Sequence, residues 1–278
     1  MTNWTAVEDE LARWTDLGRR CSLWLRDDDA IAASPQLDRL LHRCAQAGIP
    51  LGLAVIPADA EPSLAQALAG QPHATPLVHG WSHTDHAAPG AKKCEFGPER
   101  PAEIRHAEAE RGLSVLRALF GDRLLPLFVP PWNRMAADMP SRLSAAGYRA
   151  VSAFGPAPAS RAEGGDGITW INTHLDLIDW HGTRSAVPLD GLLDLLCREL
   201  RDRREGRQEG RGNPAEPIGL LTHHLVHDAA IWDLLDRLLD RLAGHPAVEW
   251  PAVESLGWPP PIGGFSMVAA PFGNAPEG

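Results

Sequence analysis

The sequence contains no apolar stretch that approaches the roughly 18 residues needed for a membrane-spanning helix. Residues 1–20 also lack an apolar core of the length found in signal peptides. Positive charge is scarce as well, because Asp and Glu outnumber Lys and Arg by 36 to 26 and the formal net charge is −10. We therefore expect a cytoplasmic protein that binds neither a membrane nor a nucleic acid.

Cysteine is sparse, with four residues spread along the chain and no Cys-x-x-Cys pair. That spacing argues against a zinc knuckle. Cys21, Cys44 and Cys197 lie in apolar or amphipathic runs, which is typical of reduced core residues. No Gly-x-Gly-x-x-Gly or P-loop pattern follows an apolar run, so a nucleotide-binding sheet is disfavoured.

Short apolar runs alternate with amphipathic segments along the chain. The apolar runs predict buried strands over 21–26, 51–56, 77–78, 124–129, 148–153, 168–173 and 218–222. The amphipathic segments predict helices over 34–47, 62–69, 101–120, 135–146, 189–200 and 229–243. About seven strand–helix units in series imply an α/β fold with a mostly parallel sheet, either closed into a barrel or open and doubly wound. We expect one catalytic domain over 1–257, a polar loop or helix extension over 201–217 and a Pro- and Gly-rich tail over 258–278.

Acidic and histidine residues follow three of the predicted strands directly. Asp27, Asp28 and Asp29 follow the first strand, His79 follows the third, and His223 follows the last. Because barrels of alternating strands and helices keep their active sites at the carboxyl ends of the strands, these side chains are expected to meet at one mouth. Residue types that bind metal or transfer protons at that position point to a hydrolase.

His79 and His83 are spaced four residues apart, so that two imidazoles can meet one metal ion. The glutamate of the His-Glu-x-x-His zinc proteases is absent, because Gly80 occupies its position. A third ligand must therefore come from elsewhere, and an aspartate at a neighbouring strand end is the natural candidate. Two histidines and one carboxylate suit Zn²⁺ with a water in the open position. The alternative is a solvated turn or a pair of core histidines.

The three adjacent carboxylates Asp27, Asp28 and Asp29 repel one another unless a cation or an arginine neutralises them. Because successive side chains point in different directions, one of them can bind metal while a neighbour acts as general base. The alternative is a solvated loop or a helix cap. His223 is a candidate general acid for a leaving amine, and the alternative is a buried, hydrogen-bonded histidine. His224 is expected to face the opposite way from His223 if the strand stays extended.

The order of these residues resembles the polysaccharide deacetylase family of carbohydrate esterases over about residues 21–224. The first motif of that family, usually Thr-Phe-Asp-Asp-Gly, supplies the base and then a metal ligand. Leu25–Asp29 is similar to it with substitutions. The resemblance therefore implies Asp27 as the base and Asp28 as the ligand.

The second and third family motifs match to different extents. The His-x-x-x-His motif, which supplies metal ligands, matches His79 and His83 in full. The third motif, Arg-x-Pro-aromatic, matches only in part, because Val129 stands where the family has an arginine that orients the base. By the resemblance, Arg26 or Arg134 is expected to replace that arginine.

The remaining motifs imply further catalytic residues. The backbone N–H of Trp132, in the third motif, is expected to bind the oxyanion. The fourth motif, Asp-x-x-Asp-Trp, is similar to residues 176–180 and implies that Asp179 tunes His223. The fifth motif, Leu-x-His, matches residues 221–223.

The resemblance implies a distorted seven-stranded parallel barrel and a hydrolase that uses a divalent metal, Zn²⁺ first among the candidates. Its reaction is removal of an acyl group from an amide nitrogen of a soluble carbohydrate or small molecule. A cyclic-amide or formyl hydrolase, or a binding protein that kept the fold, are the alternatives.

Four residues are candidates for substrate contacts. Asn133 and Arg134 lie just past the third motif, and Trp180 is placed near the site by the fourth. Glu95 lies in the long loop after the histidines, where a solvated charge is the alternative. A homo-oligomer is compatible with the sequence.

Overall fold

The computed structural model describes residues 4–157, 167–206 and 216–256. Its strands are β1 Cys21–Ala30, β2 Leu51–Val55, β3 Ala74–His79, β4 Leu127–Val129, β5 Ala150–Val151, β6 Thr169–Trp170, β7 Leu175–Asp176, β8 Ile218–Thr222 and β9 Val248–Glu249. Its helices are α1 Trp4–Asp16, α2 Pro35–Ala47, α3 Pro62–Ala69, α4 Ala102–Phe120, α5 Met139–Ala145, α6 Leu189–Glu205 and α7 Ala229–Leu242.

The sheet is parallel in every described strand pair and runs in the order β6-β5-β4-β3-β2-β1-β8-β7, with β9 beside the start of β1. β6 and β7 are two halves of one extended segment, of which the first pairs with β5 and the second with β8. Between them, Ile171 and Thr173 donate backbone hydrogen bonds to the β5 side, and His174 donates to Gly219 of β8. This segment curls the sheet into a distorted seven-stranded barrel, which confirms the predicted fold class.

Side chains of β1 alternate between the barrel interior and the helix layer. Leu23 and Leu25 lie in the apolar layer between the sheet and the helices, whereas Trp24 packs inside the barrel against Val129 of β4 and its neighbours. The period of two continues this alternation, so Arg26 and Asp28 belong to the inward series and Asp27 to the outward one.

The helices begin and end largely where their sequence signals indicate. The Ser34 side chain accepts a hydrogen bond from the backbone N–H of Leu37 at the start of α2, and Gly48 ends that helix with φ 66°. Helix α1 was not predicted from the sequence. It packs one buried face against α6, formed by Trp4, Val7, Glu10, Leu11 and Trp14.

Several element bounds differ from the sequence prediction. β4 begins only at Leu127, because Pro126 has no N–H to donate to a strand ladder. β5 and β6 are each two residues long. α6 continues to Glu205 and takes in the start of the predicted polar segment, while 207–215 and the predicted tail over 258–278 lie outside the described residues. None of the described helices is both long and apolar enough to span a membrane.

Candidate metal and catalytic site

Three side chains at the carboxyl ends of β1 and β3 form a compact group at the barrel mouth. Nε2 of His79 lies 3.0 Å from Oδ1 of Asp29, and Nε2 of His83 lies 3.3 Å from the same oxygen. One potential ligand atom of each residue lies within 4.8 Å of the others. Two imidazoles and one carboxylate at this separation suit a divalent transition metal such as Zn²⁺.

The orientation of His79 is fixed by a hydrogen bond on its far side. Nδ1 of His79 lies 3.0 Å from the backbone carbonyl oxygen of Val129. Because a carbonyl only accepts, Nδ1 carries a proton and donates, and Nε2 is left to face Asp29. A metal-binding histidine is usually held in this way by its second nitrogen, so the contact supports His79 as a ligand.

The charges of Asp29 and His83 also fit a metal site. Burial alone would raise the pKa of the Asp29 carboxyl, but the hydrogen bond and charge of His79 hold it well below its ordinary value. Burial lowers the pKa of His83, and the charge of His79 lowers it further. Burial also disfavours charge on His79, but its hydrogen bond with Asp29 and the charges of Asp28 and Asp29 together outweigh this and raise the pKa. Asp29 is therefore anionic and His83 neutral at neutral pH, which are the forms that bind metal.

Glu95 stabilises the loop that carries His83. Contrary to the prediction, it does not face substrate space. The carboxylate is fully buried and accepts hydrogen bonds from the backbone N–H groups of Trp81, at 3.1 Å, and Ser82, at 2.7 Å. A Cβ at Gly80, where φ is 59°, would lie 2.3 Å from this carboxylate. The tight loop therefore needs glycine at that position and an acceptor at Glu95.

Asp28 does not join the histidines, although the sequence comparison predicted it as the metal ligand. Its carboxylate is held by two parallel hydrogen bonds from Arg26, at 2.8 and 2.9 Å, and both side chains are buried. Arg26 also donates to Oδ1 of Asn133 at 2.6 Å and to the carbonyl oxygen of Ser152 at 2.9 Å. Of the two predicted replacements for the missing arginine, the structure therefore brings Arg26 and not Arg134 to an aspartate.

Asp27, predicted as the general base, does not reach the barrel mouth. Its side chain is fully buried and accepts a hydrogen bond at 2.7 Å from the backbone N–H of His224, and it also contacts the His224 ring. The reason is the alternation of β1, which turns Asp27 outward beside Leu25 while Asp28 points inward. Burial alone would lower the pKa of His224, but the charge of Asp27 and its hydrogen bond to the ring, with a smaller contribution from Asp29, together raise the pKa.

His223 lies at the mouth beside Asp28. Its Nε2 is 4.0 Å from Oδ2 of Asp28, and the Trp180 ring packs edge-on against it with 4.8 Å between ring centroids. Nδ1 of His223 is buried and has no hydrogen-bond partner among the described residues.

Asp179 does not contact His223, contrary to the prediction. It is partly exposed and accepts hydrogen bonds from the backbone N–H groups of Gly182 and Thr183, so it caps a turn. Asp176, the other acid of this segment, lies close enough to His223 for that histidine to lower its pKa, and it accepts a hydrogen bond from the Trp180 indole at 2.9 Å. Burial raises the pKa of Asp176, and the nearby His223 partly offsets that rise.

No protein-family model and no curated protein matches the sequence. The chain was therefore compared with solved structures. A putative polysaccharide deacetylase from Mycobacterium smegmatis is similar with a TM-score of 0.61 and 17% identity, over 84% of this chain and 88% of that one. A family 4 carbohydrate esterase from Streptomyces lividans gives 0.50 and 17%, over 82% and 90%. A CE4 esterase from Streptococcus mutans gives 0.51 and 13%, over 86% of each chain. The chain has the polysaccharide deacetylase fold.

In this deacetylase fold, strained backbone is concentrated at the site. Among the described non-glycine residues with positive φ, Asp29 (72°), His83 (53°), Trp132 (53°) and Asn133 (57°) all lie there. The Trp132 ring packs on His83 with 4.3 Å between centroids. Left-handed backbone at four neighbouring positions is unfavourable, and such strain persists where the surrounding structure imposes it, most often at functional sites.

A cavity of about 440 Å³ lies next to the barrel mouth, on the side where Asn133 lies. Asn133 and Arg134, both predicted to contact substrate, line it together with Trp170 and Lys92. The Arg134 guanidinium is exposed and donates a hydrogen bond at 3.2 Å to the carbonyl oxygen of Lys93. Trp180, the remaining candidate, packs on His223 at the other side of the mouth.

His227, which lies behind this mouth, is expected to make the folded protein less stable in acid. Burial lowers its pKa from 6.5 to about 4. As pH falls below 6.5 the unfolded chain binds a proton that the folded chain does not bind until about pH 4, so stability is lost across that window. Between pH 7 and pH 4, we expect the free energy of unfolding of His227→Gln to rise by up to about 3 kcal/mol relative to that of the parent protein. Urea unfolding at several pH values measures this difference.

The control for this measurement is His42→Gln, which changes an exposed histidine of α2. Its unfolding free energy should follow that of the parent protein across the whole pH range. Parallel curves for His227→Gln and the parent would contradict the prediction.

Proposed function

We propose that this protein is a metal-dependent hydrolase that removes an acetyl-type acyl group from an amide nitrogen of a carbohydrate or other small molecule. The observation that carries the proposal is the grouping of Asp29, His79 and His83 beside Asp28 and His223 at one barrel mouth. The fold supports it, because the solved structures with this fold include proteins named as deacetylases and carbohydrate esterases.

The proposal places the first family motif one residue later than the sequence comparison did. Arg26, Asp27, Asp28, Asp29 and Ala30 then stand in the positions of Thr-Phe-Asp-Asp-Gly. Asp28 becomes the base and Asp29 the metal ligand. The support is geometric, since Asp29 contacts both histidines, whereas Asp28 lies between Arg26 and His223.

The bound metal would supply Lewis acidity, which polarises the acyl carbonyl and acidifies water. The chain supplies the proton transfers. Asp28, oriented by Arg26, takes a proton from the water whose oxygen attacks the acyl carbon. The backbone N–H of Trp132 donates a hydrogen bond to the developing oxyanion. His223 gives a proton to the amine nitrogen as the C–N bond breaks, so that a carboxylic acid and a free amine leave.

The proposed substrate is a soluble N-acylated saccharide. The cavity beside Asn133 is large enough for one sugar ring, and Trp170 offers it an aromatic side chain. Asn133 lines this cavity and also accepts a hydrogen bond from Arg26, so a bound ring would lie next to the residue that orients the base.

Metal analysis together with acetate release tests this proposal. We expect the purified protein to hold about one transition-metal ion per chain and to release acetate from N-acetylated chitooligosaccharides. Chelation should remove both properties, and Zn²⁺ or Co²⁺ should restore both. Elemental mass spectrometry and an enzymatic acetate assay measure them.

A remote carboxylate change provides the control. Asp122→Asn alters an exposed residue distant from the mouth and should retain both metal and turnover. The proposal fails if the parent protein binds no metal after incubation with Zn²⁺ or Co²⁺. It also fails if the metal-loaded protein releases acid from none of a panel of N-acetyl and N-formyl saccharides and amides.

A further inference from the structure

Asp27 and His224 form a fully buried pair that the proposed reaction does not use. Each side chain has a relative exposure of 0%. Oδ2 of Asp27 accepts a hydrogen bond from the backbone N–H of His224 at 2.7 Å, and Oδ1 contacts Nδ1 of the His224 ring. The pair lies between β1 and the helix layer, where Leu25 and Cys44 are its apolar neighbours in the core.

Stability alone does not explain such a pair. Removing a carboxylate and an imidazole from water is costly, and well-packed apolar residues in the same space often stabilise a protein as much or more. Buried polar pairs are instead useful where a particular geometry must be selected, because their hydrogen bonds are directional. The question is which geometry this pair selects.

The pair joins two strand ends at the point where both lead into the mouth. Asp27 is paired with Thr222 in the β1–β8 register, and β8 ends at Thr222. Beyond that point the chain leaves the ladder and enters a short turn over 224–226. The hydrogen bond from the His224 backbone to Asp27 therefore continues the connection between the strands by one further step.

The residues next to the pair are the two that exchange protons with substrate. Asp28 follows Asp27, and His223 precedes His224. Asp27 and His224 are buried against each other, while their neighbours Asp28 and His223 lie at the mouth, with 4.0 Å between Oδ2 and Nε2. A tie between the outer residues thus sets the separation of the inner ones.

We propose that Asp27 and His224 are positioning residues that fix the distance between the Asp28 carboxylate and the His223 imidazole. This inference rests on the proposed function for its effect on turnover. The pair contacts neither the metal group nor the cavity among the described residues, so its loss should lower kcat and leave KM and metal content unchanged.

The test compares two buried carboxylates at opposite ends of β8. Asp27→Leu removes the tie at the mouth. Glu216→Leu removes the carboxylate that accepts a hydrogen bond from Asn172 and lies 3.9 Å from His174 at the other end of the strand. We expect kcat to fall roughly 30- to 100-fold for Asp27→Leu, because misplacement by about 1 Å can reduce a rate by that order. For Glu216→Leu we expect kcat within about 3-fold of the parent despite a comparable loss of thermal stability.

A conservative variant separates positioning from packing. Asp27→Asn keeps an oxygen that accepts from the His224 backbone, so it should recover kcat to within about 5-fold of the parent. If Asp27→Leu does not fold, Asp27→Ala replaces it, since that smaller side chain also removes the acceptor of the His224 backbone N–H. An unchanged kcat in Asp27→Leu or its replacement, or an equal fall in Glu216→Leu, would overturn the proposal.

A crystallographic readout keeps the inference independent of the proposed activity. The distance between Oδ2 of Asp28 and Nε2 of His223 should increase in Asp27→Leu, or in Asp27→Ala, and stay unchanged in Glu216→Leu. An unchanged distance in the first variant refutes positioning even if turnover falls. If the parent hydrolyses none of the tested amides, the proposed function fails while this distance still decides the role of the pair.

Discussion

Asp29→Ala is expected to lose its metal, whereas Asp28→Asn is expected to keep it and lose turnover. Asp29 contributes the only carboxylate in the described metal group, so its removal should weaken metal affinity by more than about 100-fold, the upper range for residues that only support a ligand. Asp28 lies outside that group, and its loss should lower kcat by about 10²- to 10⁴-fold, as expected for a general base. Metal titration and steady-state kinetics measure the two effects separately.

Asp27→Asn completes this series of three adjacent carboxylates. It should keep its metal and a kcat within about 5-fold of the parent. The reason is that Asp27 faces away from the mouth and the amide oxygen still accepts a hydrogen bond from the His224 backbone N–H. Loss of metal from Asp28→Asn, with Asp29→Ala unaffected, would restore the motif register that the sequence comparison implied. The three changes are at consecutive positions of β1, so a general effect on folding does not account for different metal contents and turnover rates among the variants.

The architecture of the site was predictable from strand ends. Short apolar runs followed by Asp27–Asp29, His79 and His223 were enough to predict that these residues meet, because a parallel barrel brings the carboxyl ends of its strands to one side. The histidine spacing likewise predicted a metal pair. In the structure, His79 and His83 approach the same carboxylate oxygen, as that spacing requires.

The assignment of roles among the three acids was not predictable in this way. Simple alternation along β1 places Asp28 inward and Asp27 outward, which the sequence alone permits one to derive. It does not place Asp29 beside Asp28. The register between β1 and β2 shifts between Asp27 and Ala30, and Asp29 adopts a φ of 72°. This irregularity turns two consecutive carboxylates toward the mouth, and no propensity rule locates it in advance.

The partners of Asp176 and Asp179 show a second limit of sequence reasoning. Both acids precede Trp180 within one motif-like segment, so the sequence does not tell which of them faces His223. The turn after Asp179 offers the backbone N–H groups of Gly182 and Thr183, and these draw the side chain outward. An acidic residue followed by glycine three positions later is a signal for such a turn, and it favours Asp176 as the inward residue.

Arg26 explains how a site of this kind functions with Val129 in its third motif. The Arg26 guanidinium makes two parallel hydrogen bonds to Asp28 and further hydrogen bonds to Asn133, Ser152 and Ala153. A planar fork is suited to this bidentate role, whereas an ammonium group is not. With the first motif placed one residue later, arginine occupies the position of the family threonine. On this proposed register, Arg26 of β1 takes the orienting role that the resemblance gives to an arginine at the end of β4.

Arg26→Thr is therefore expected to lower kcat by about 10²- to 10³-fold while the metal content is retained. Removal of the guanidinium leaves the buried Asp28 unpaired, so the free energy of unfolding should also fall by about 3 to 5 kcal/mol. Arg26→Lys should recover only part of kcat, because it keeps the charge and loses the fork. Kinetics at a temperature where circular dichroism reports a folded protein, together with metal analysis, measure these effects.

The double variant Arg26→Thr, Val129→Arg tests whether the arginine has changed position without changing its role. Val129 is fully buried at the end of β4, directly before Pro130, and lies inside the barrel with Trp24. An arginine introduced there enters the space that Arg26 vacates, so kcat should recover by at least about 10-fold over Arg26→Thr. Val129→Arg alone, with Arg26 present, should be strongly destabilised because two guanidinium groups then compete for one carboxylate. Recovery of kcat in the double variant, together with destabilisation of Val129→Arg alone, is the result that only an exchange of positions predicts. Full activity in Arg26→Thr would instead show that Asp28 needs no arginine.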